Sequence, residues 1–137
     1  ILPFGRANYI TRGHSLTIIC WGAMVQKRIE ATQQISESDD IIEIIDIRTL
    51  NPIDYDTIKE SISKTGKVLV VYEDNLTNGP GAELCSVIAD RYFEYLDGPI
   101  KRVASKDCPV PYNWFLEDDV LVQVSDISNA IKELLEY

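Results

Sequence analysis

Apolar runs of strand length alternate along the chain with stretches in which apolar residues recur every three or four positions. Leu16-Thr17-Ile18-Ile19-Cys20-Trp21 is continuous and ends at Gly22. This predicts a strand buried on both faces, as in a parallel sheet. Residues 23–35 follow with helical spacing. Val25, Ile29, Thr32 and Ile35 share one predicted face, while Gln26, Lys27, Glu30 and Gln33 or Gln34 face water. A polar loop over 36–40 leads to a second strand, 41–47, and a turn over 48–52. Asp54 is placed to cap a helix running to about Lys64, with Ile53 before it as a staple and Thr57 at the fourth position. Tyr55, Ile58 and Ile62 form its apolar face, and Gly66 suits the left-handed residue that closes it. The third strand is 67–72, followed by a polar loop over 73–79. A helix is predicted from about Gly81 to Tyr95, stopped by Asp97-Gly98-Pro99. A short strand covers 100–104 and an irregular stretch 105–121, with Pro99, Pro109 and Pro111 as punctuation. Ser125 or Asp126 caps a last helix through Glu136.

One segment departs from this alternation. Residues 6–11 read as a strand closed by Arg12-Gly13-His14, but only a few residues separate them from the run at Leu16. A parallel crossover needs about a dozen residues, so this strand is predicted as an antiparallel edge. The remainder is β-α-β-α-β-α-β-α. The fold class is therefore α/β: a three-layer sandwich with right-handed crossovers.

Composition narrows the function classes. The 137 residues form one domain's length, with 45% hydrophobic and 26% charged residues, as a globular domain requires. No apolar run reaches the ~20 residues that span a bilayer, so no membrane association is expected. The net charge of −9 argues against nucleic acid, whose binding rests on Lys and Arg, and leaves room for a basic protein partner. Ile1-Leu2-Pro3-Phe4 carries no Met and no signal-peptide pattern, and reads as a cut inside a longer polypeptide. Cys20, Cys85 and Cys108 are odd in number and lack a CxxC pair, which suits a reducing compartment. One His and three dispersed Cys make a Zn site improbable.

Candidate chemistry concentrates at predicted strand ends, where parallel sheets meet their ligands. Glu73, Asp74 and Asn75 follow the third strand. A carboxylate pair there can bind a cation or work as acid and base, or simply cap a polar turn. Asn78-Gly79-Pro80-Gly81 precedes a helix whose N–H groups could meet an anion. It matches neither phosphate-loop pattern, and Pro80 removes one donor, so a tight helix entry is the simpler reading. Asp46 and Arg48 can pair across the second strand's end or position its turn. His14 reads as a solvated turn residue, Cys20 and Cys85 as core thiols, and Cys108 as the exposed one. Glu117-Asp118-Asp119 is a solvated acidic face or a contact for a basic partner. No self-sufficient catalytic constellation emerges. The chain reads as a component of a larger enzyme.

Several segments resemble a known family. The run 16–25, LTIICWGAMV, resembles the "LTIVTYGAMV" segment of the β part of thiamine-diphosphate-dependent 2-oxo acid dehydrogenases, the E1 component. Residues 45–54 resemble its "DLRTLxPxD" segment, and Glu73-Asp74-Asn75-Leu76-Thr77-Asn78-Gly79-Pro80-Gly81-Ala82-Glu83 resembles "EDNLTNGFGAE". Residues 99–104 and 106–112 resemble "PVKRVAxKDTPxPY". Order and spacing hold across nearly the whole chain. Pro80 stands where the family has Phe, and Cys108 where it has Thr.

The resemblance implies a transketolase C-terminal domain: a three-layer α/β/α unit whose five-stranded mixed sheet has its first strand antiparallel. It implies that thiamine diphosphate and Mg bind between other domains of the complete enzyme, with none in this fragment and no catalytic residue here. Implied partners are an E1 alpha part, a second E1 beta part and the basic subunit-binding domain of the E2 acyltransferase. Asp107 and Tyr137 are docking candidates for E2, and Glu73, Asp74 and Asn75 are a possible interface. The branched-chain (2-oxoisovalerate) type is the nearest resemblance, with the pyruvate type as the alternative. A stand-alone α/β module binding a small ligand is the reading from a different class. The implied location is the cytoplasm, or the mitochondrial matrix in a eukaryote.

Overall fold

The computed structural model describes residues 3–33 and 41–137. The predicted loop 36–40, and the end of the helix predicted over 23–35, lie outside the described residues. Five strands form one sheet: β1 (Asn8–Thr11), β2 (Leu16–Cys20), β3 (Ile42–Asp46), β4 (Val68–Asn75) and β5 (Ile100–Ser105). Their order is β1-β3-β2-β4-β5. β1 runs antiparallel against β3 at one edge, and the other pairings are parallel. The edge strand therefore lies as its short connection requires.

Both faces of the central strands are buried, and the two-residue period of a strand sorts them. Leu16, Ile18 and Cys20 of β2, Ile42 and Ile44 of β3, and Leu69 and Val71 of β4 point to one side. There they meet α1 (Met24–Gln33) and α5 (Val124–Leu135) through Met24, Ala31, Ile127, Ile131 and Leu134. Ile19, Ile45, Val70 and Tyr72 point to the other side. They meet α2 (Tyr55–Thr65) and α3 (Pro80–Arg91) through Ile58, Ile62, Leu84 and Ile88. Each fully buried aliphatic side chain contributes about 1.5–3 kcal/mol. These two cores are what hold the three layers together.

Local chemistry sets the helix ends. The Asp54 carboxylate accepts the Thr57 N–H at 3.2 Å, the Thr57 hydroxyl at 2.8 Å and the Ala7 N–H at 3.0 Å. It thus caps α2 and ties it to the chain before β1. Gly66 closes α2 at φ 68°, and its N–H donates to Ile62. The polar residues of the second core are paired. The Thr17 hydroxyl meets those of Ser61 and Thr65, each at 2.6 Å. Glu43 is fully buried; its Oε2 pairs with Lys64 Nζ and accepts the Gly13 N–H at 3.3 Å. Among the described residues its Oε1 has no hydrogen-bond partner.

Several boundaries differ from the sequence reading. β4 continues through Asn75, so Glu73, Asp74 and Asn75 belong to a strand and not to a loop. After a register shift, Asn75 pairs again with Ser105, and the Ser105 hydroxyl donates to the Glu73 carbonyl at 2.5 Å. The predicted helix to Tyr95 ends at Arg91. Tyr92 leaves the helical region at φ −127° as its ring enters the second core, and a 3-10 turn follows at Phe93–Tyr95. The stretch predicted as irregular contains α4 (Trp114–Val120), capped by Asn113, whose side chain accepts the Phe115 N–H. α5 starts earlier than Ser125: Gln123 is its cap, and Asp126, inside the helix, accepts the Gln123 N–H at 2.9 Å. The inward stripe of α1 runs through Met24 and Ala31 with Val25 beside it, rotated from the predicted Val25-Ile29-Thr32 face.

Candidate functional site

The carboxyl ends of β3, β4 and β5 carry most of the sequence candidates. Tyr72, the last buried residue of β4, stacks on Trp21 after β2, with ring centroids 5.4 Å apart. α3 enters against this ring. A Cβ on Gly81 would lie 2.1 Å from Tyr72 Cε1, and one on Gly79 would lie 2.3 Å from the Asn75 carbonyl oxygen. Both glycines therefore serve close backbone approach. Pro80 at the first helical turn offers no N–H, and Gly79 gives no side-chain cap. The entry is a packed turn, and its geometry carries no anion cradle.

The segment after β4 is fastened by β5 and the residues beyond it. Arg102 Nη1 donates to the Leu76 carbonyl at 2.7 Å and reaches the Tyr72 hydroxyl at 3.4 Å. The Leu76 N–H donates to the Ser105 carbonyl at 3.1 Å. Asp107 accepts both the Thr77 N–H at 2.8 Å and the Thr77 hydroxyl at 2.6 Å. These bonds, the Thr77 hydroxyl first, hold the Asp107 carboxyl below its ordinary range. Burial, partly offset by Arg102, pushes the Tyr72 phenol up. Glu73, Asp74 and Asn75 themselves are exposed, and the Asp74 carboxylate accepts the Asn75 N–H at 2.8 Å.

The remaining candidates separate. Asp46 does not reach across to the Arg48 guanidinium as an ion pair; its carboxylate takes the Arg48 backbone N–H at 3.0 Å, in a turn where Arg48 has φ 58°. Asp107 follows the C-terminal end of β5, whereas the Tyr137 ring lies beside Gly98, ahead of β5. The two docking candidates thus stand at opposite ends of a six-residue strand, roughly 20 Å apart by strand rise. His14 is exposed on its turn. Cys20 is buried and donates to the Ile45 carbonyl at 3.5 Å. Cys85 is partly buried, and burial pushes its thiol up to about 11, which keeps it unreactive. Cys108 is exposed. Among the described residues, no three His, Cys, Asp or Glu side chains gather as a metal requires.

Arg102 and Thr77 were missed as partners in the sequence. Arg102 shares the face of Ile100 and Ala104 in the two-residue period of β5, which is the signal that could have placed it over Tyr72.

A mixed five-stranded sheet with a single antiparallel edge, helices on both faces and a strand-end loop clasped from β5 defines a three-layer α/β/α domain. The model of the transketolase C-terminal domain family matches residues 5–127, and the chain belongs to that family. It is 39% identical over 134 residues to the pyruvate dehydrogenase E1 component subunit beta of Rickettsia bellii, covering 97% of this chain and 41% of that protein. It is 35% identical over 136 residues to the mitochondrial E1 subunit beta of Dictyostelium discoideum, covering 99% of this chain and 38% of that protein. The chain thus spans about two-fifths of the length of these relatives. Among solved structures, an inactive β4 tetramer of a split-gene transketolase aligns over 98% of this chain and 44% of its own, with TM-score 0.80 and 24% identity. That likeness shows the fold.

Proposed function

We propose that this chain is the C-terminal domain of the β-type subunit of a 2-oxo acid dehydrogenase E1 component, of the pyruvate type. The observation that carries the reading is the near-complete alignment of this chain with E1 beta subunits named for pyruvate. The branched-chain expectation gives way to the pyruvate alternative on that ground. The domain's role is assembly. The thiamine diphosphate and Mg chemistry of oxidative decarboxylation takes place elsewhere in the complete enzyme, between this subunit's other parts and an E1 alpha part. Glu73, Asp74 and Asn75 border the strand-end surface offered to those parts. The acyl group passes to lipoyl-bearing E2, whose basic subunit-binding domain suits a chain of net charge −9. Asp107 and Tyr137 remain the docking candidates. The proposed setting is the cytoplasm, or the mitochondrial matrix of a eukaryote; the mitochondrial relative of Dictyostelium discoideum supports the second.

A stand-alone ligand-binding module is less well supported. The segment after β4, where such a module would hold its ligand, is instead fastened by the Arg102 and Asp107 bonds to Leu76 and Thr77.

Calorimetric titration with thiamine diphosphate and Mg tests the reading. The isolated 137 residues should give no binding heat, while the full-length subunit assembled with its alpha partner should bind. Stoichiometric tight binding to the isolated chain would overturn the assignment.

A further inference from the structure

α4 is a helix without a core. None of its residues is buried, and its sequence opens Trp114-Phe115-Leu116. Trp114 is 63% exposed, Phe115 64% and Leu116 55%, next to Tyr112 and Val110, which are also exposed. The Trp114 and Phe115 rings stack on each other with centroids 3.6 Å apart, which presents one continuous aromatic surface. Five large apolar side chains exposed within seven residues exceed the scattered singles that any surface carries. Aromatic anchors of this kind are what buried interface centres are made of.

A cleft lies at the far end of the same helix. It encloses about 360 Å³ and is lined by Lys106, Asp118, Asp119, Leu121, Gln123 and Asp126, among others. Three Asp and one Lys are among its lining residues, and Lys27 Nζ donates to the carbonyl of Val122, another lining residue, at 2.8 Å, which leaves the cleft acidic on balance. Asp126 spends one oxygen on the Gln123 N–H, while Gln123 Nε2 donates to the Asp118 carbonyl. The floor is thus held by its own hydrogen bonds, and among the described residues the Asp118 and Asp119 carboxylates make no hydrogen bond.

We propose that α4 and this cleft form one docking surface for another polypeptide, which buries an apolar strip on Trp114, Phe115 and Leu116 and places an arginine or lysine in the acidic cleft. Charge decides the class of occupant. A second copy of this chain would bring a further −9 to an acidic rim. A chain with cationic residues beside apolar ones satisfies both halves at once. The surface is separate from Asp107 and Tyr137. It deepens the function proposed above and rests on the chain acting within a multisubunit assembly.

The test places the photo-crosslinking residue p-benzoylphenylalanine at position 114 of the full-length protein. It is irradiated in its own cells, and the adduct is mapped by mass spectrometry. The expected adduct lies on a different polypeptide, at an apolar segment with Lys or Arg close by. Its yield should fall about tenfold in the Asp118→Lys, Asp119→Lys background, as loss of a complementary charge pair implies. The melting temperature of that background should match wild type, because the substituted side chains are outside both cores. An adduct within the same chain, on a second copy or on a segment without cationic residues would overturn the surface, and so would no adduct or a yield indifferent to charge reversal. If the adduct has the expected chemistry but lies outside any 2-oxo acid dehydrogenase subunit, the docking surface stands and the function proposed above falls.

Discussion

The Asp107 carboxylate grips Thr77 twice, through its N–H at 2.8 Å and its hydroxyl at 2.6 Å, across 30 residues of sequence. This clasp fixes the strand-end loop against the end of β5. A carboxyl held below its unfolded value stabilises the fold above the usual carboxylate range, about pH 4, and loses that contribution as pH falls through the folded value. Thr77→Ala removes the hydroxyl bond but keeps the N–H, and should raise Asp107 part of the way toward the ordinary range in a carboxyl-carbon NMR titration. An Asp107 that titrates identically in both proteins would mean that Thr77 is not the cause.

Asp54 works in the same sense at the start of α2. Burial pushes its carboxyl up, but the bonds from Ala7 and Thr57 and the nearby Arg6 outweigh this and leave it lowered. Its stabilisation is therefore present above about pH 4 and fades as pH drops through the folded value. Asp54→Ala removes a helix cap and the Ala7 tie together, and should cost about 2 kcal/mol at neutral pH. Urea unfolding of wild type and variant at pH 7 and pH 3 checks both statements. The difference should shrink at the lower pH.

Gly81→Ala tests the packing of α3. The added methyl would sit 2.1 Å from Tyr72 Cε1 and 2.4 Å from Cδ1. That ring is fully buried and stacked on Trp21, so it cannot swing aside without disturbing the core. A loss of about 1–3 kcal/mol is expected, with altered Trp21 fluorescence. An unchanged urea midpoint would contradict the close approach.

The buried Glu43 depends on Lys64. Lys64→Met leaves the carboxylate inside the second core with only the Gly13 N–H. The expected cost is about 2 kcal/mol, below that of a fully buried pair because the Lys64 head remains partly in water. Adding Glu43→Gln should recover part of the loss. A double variant less stable than Lys64→Met alone, measured by thermal melting, would contradict this.

The legible parts of the fold were those written in local chemistry. Asp54 and Gly66 bound α2 as their capping patterns imply, and the largely apolar runs at Leu16 and Ile42 are the doubly covered central strands. The short link before Leu16 placed β1 at an antiparallel edge. The misses arose where tertiary contacts override local pattern. Glu73, Asp74 and Asn75 look like loop residues because they are polar, yet Ser105 across the sheet keeps them extended. Trp114, Phe115 and Leu116 show no amphipathic period because nothing within the described residues buries them, so α4 left no helical signature. Asp107 was legible as a candidate only through resemblance; its partner Thr77 depends on the sheet bringing two distant loops together. Substrate type was not legible, since the motifs are common to both types.

The most direct test is turnover by the complete enzyme. The full-length subunit carrying this domain is assembled with its alpha partner, thiamine diphosphate and Mg, and release of CO₂ is measured from pyruvate and from 2-oxoisovalerate. The account predicts decarboxylation with kcat/KM for pyruvate exceeding that for 2-oxoisovalerate by about tenfold or more, the discrimination that a pocket built for the smaller side chain can supply. Preference for 2-oxoisovalerate, or no decarboxylation of either acid by the assembled enzyme, would contradict it.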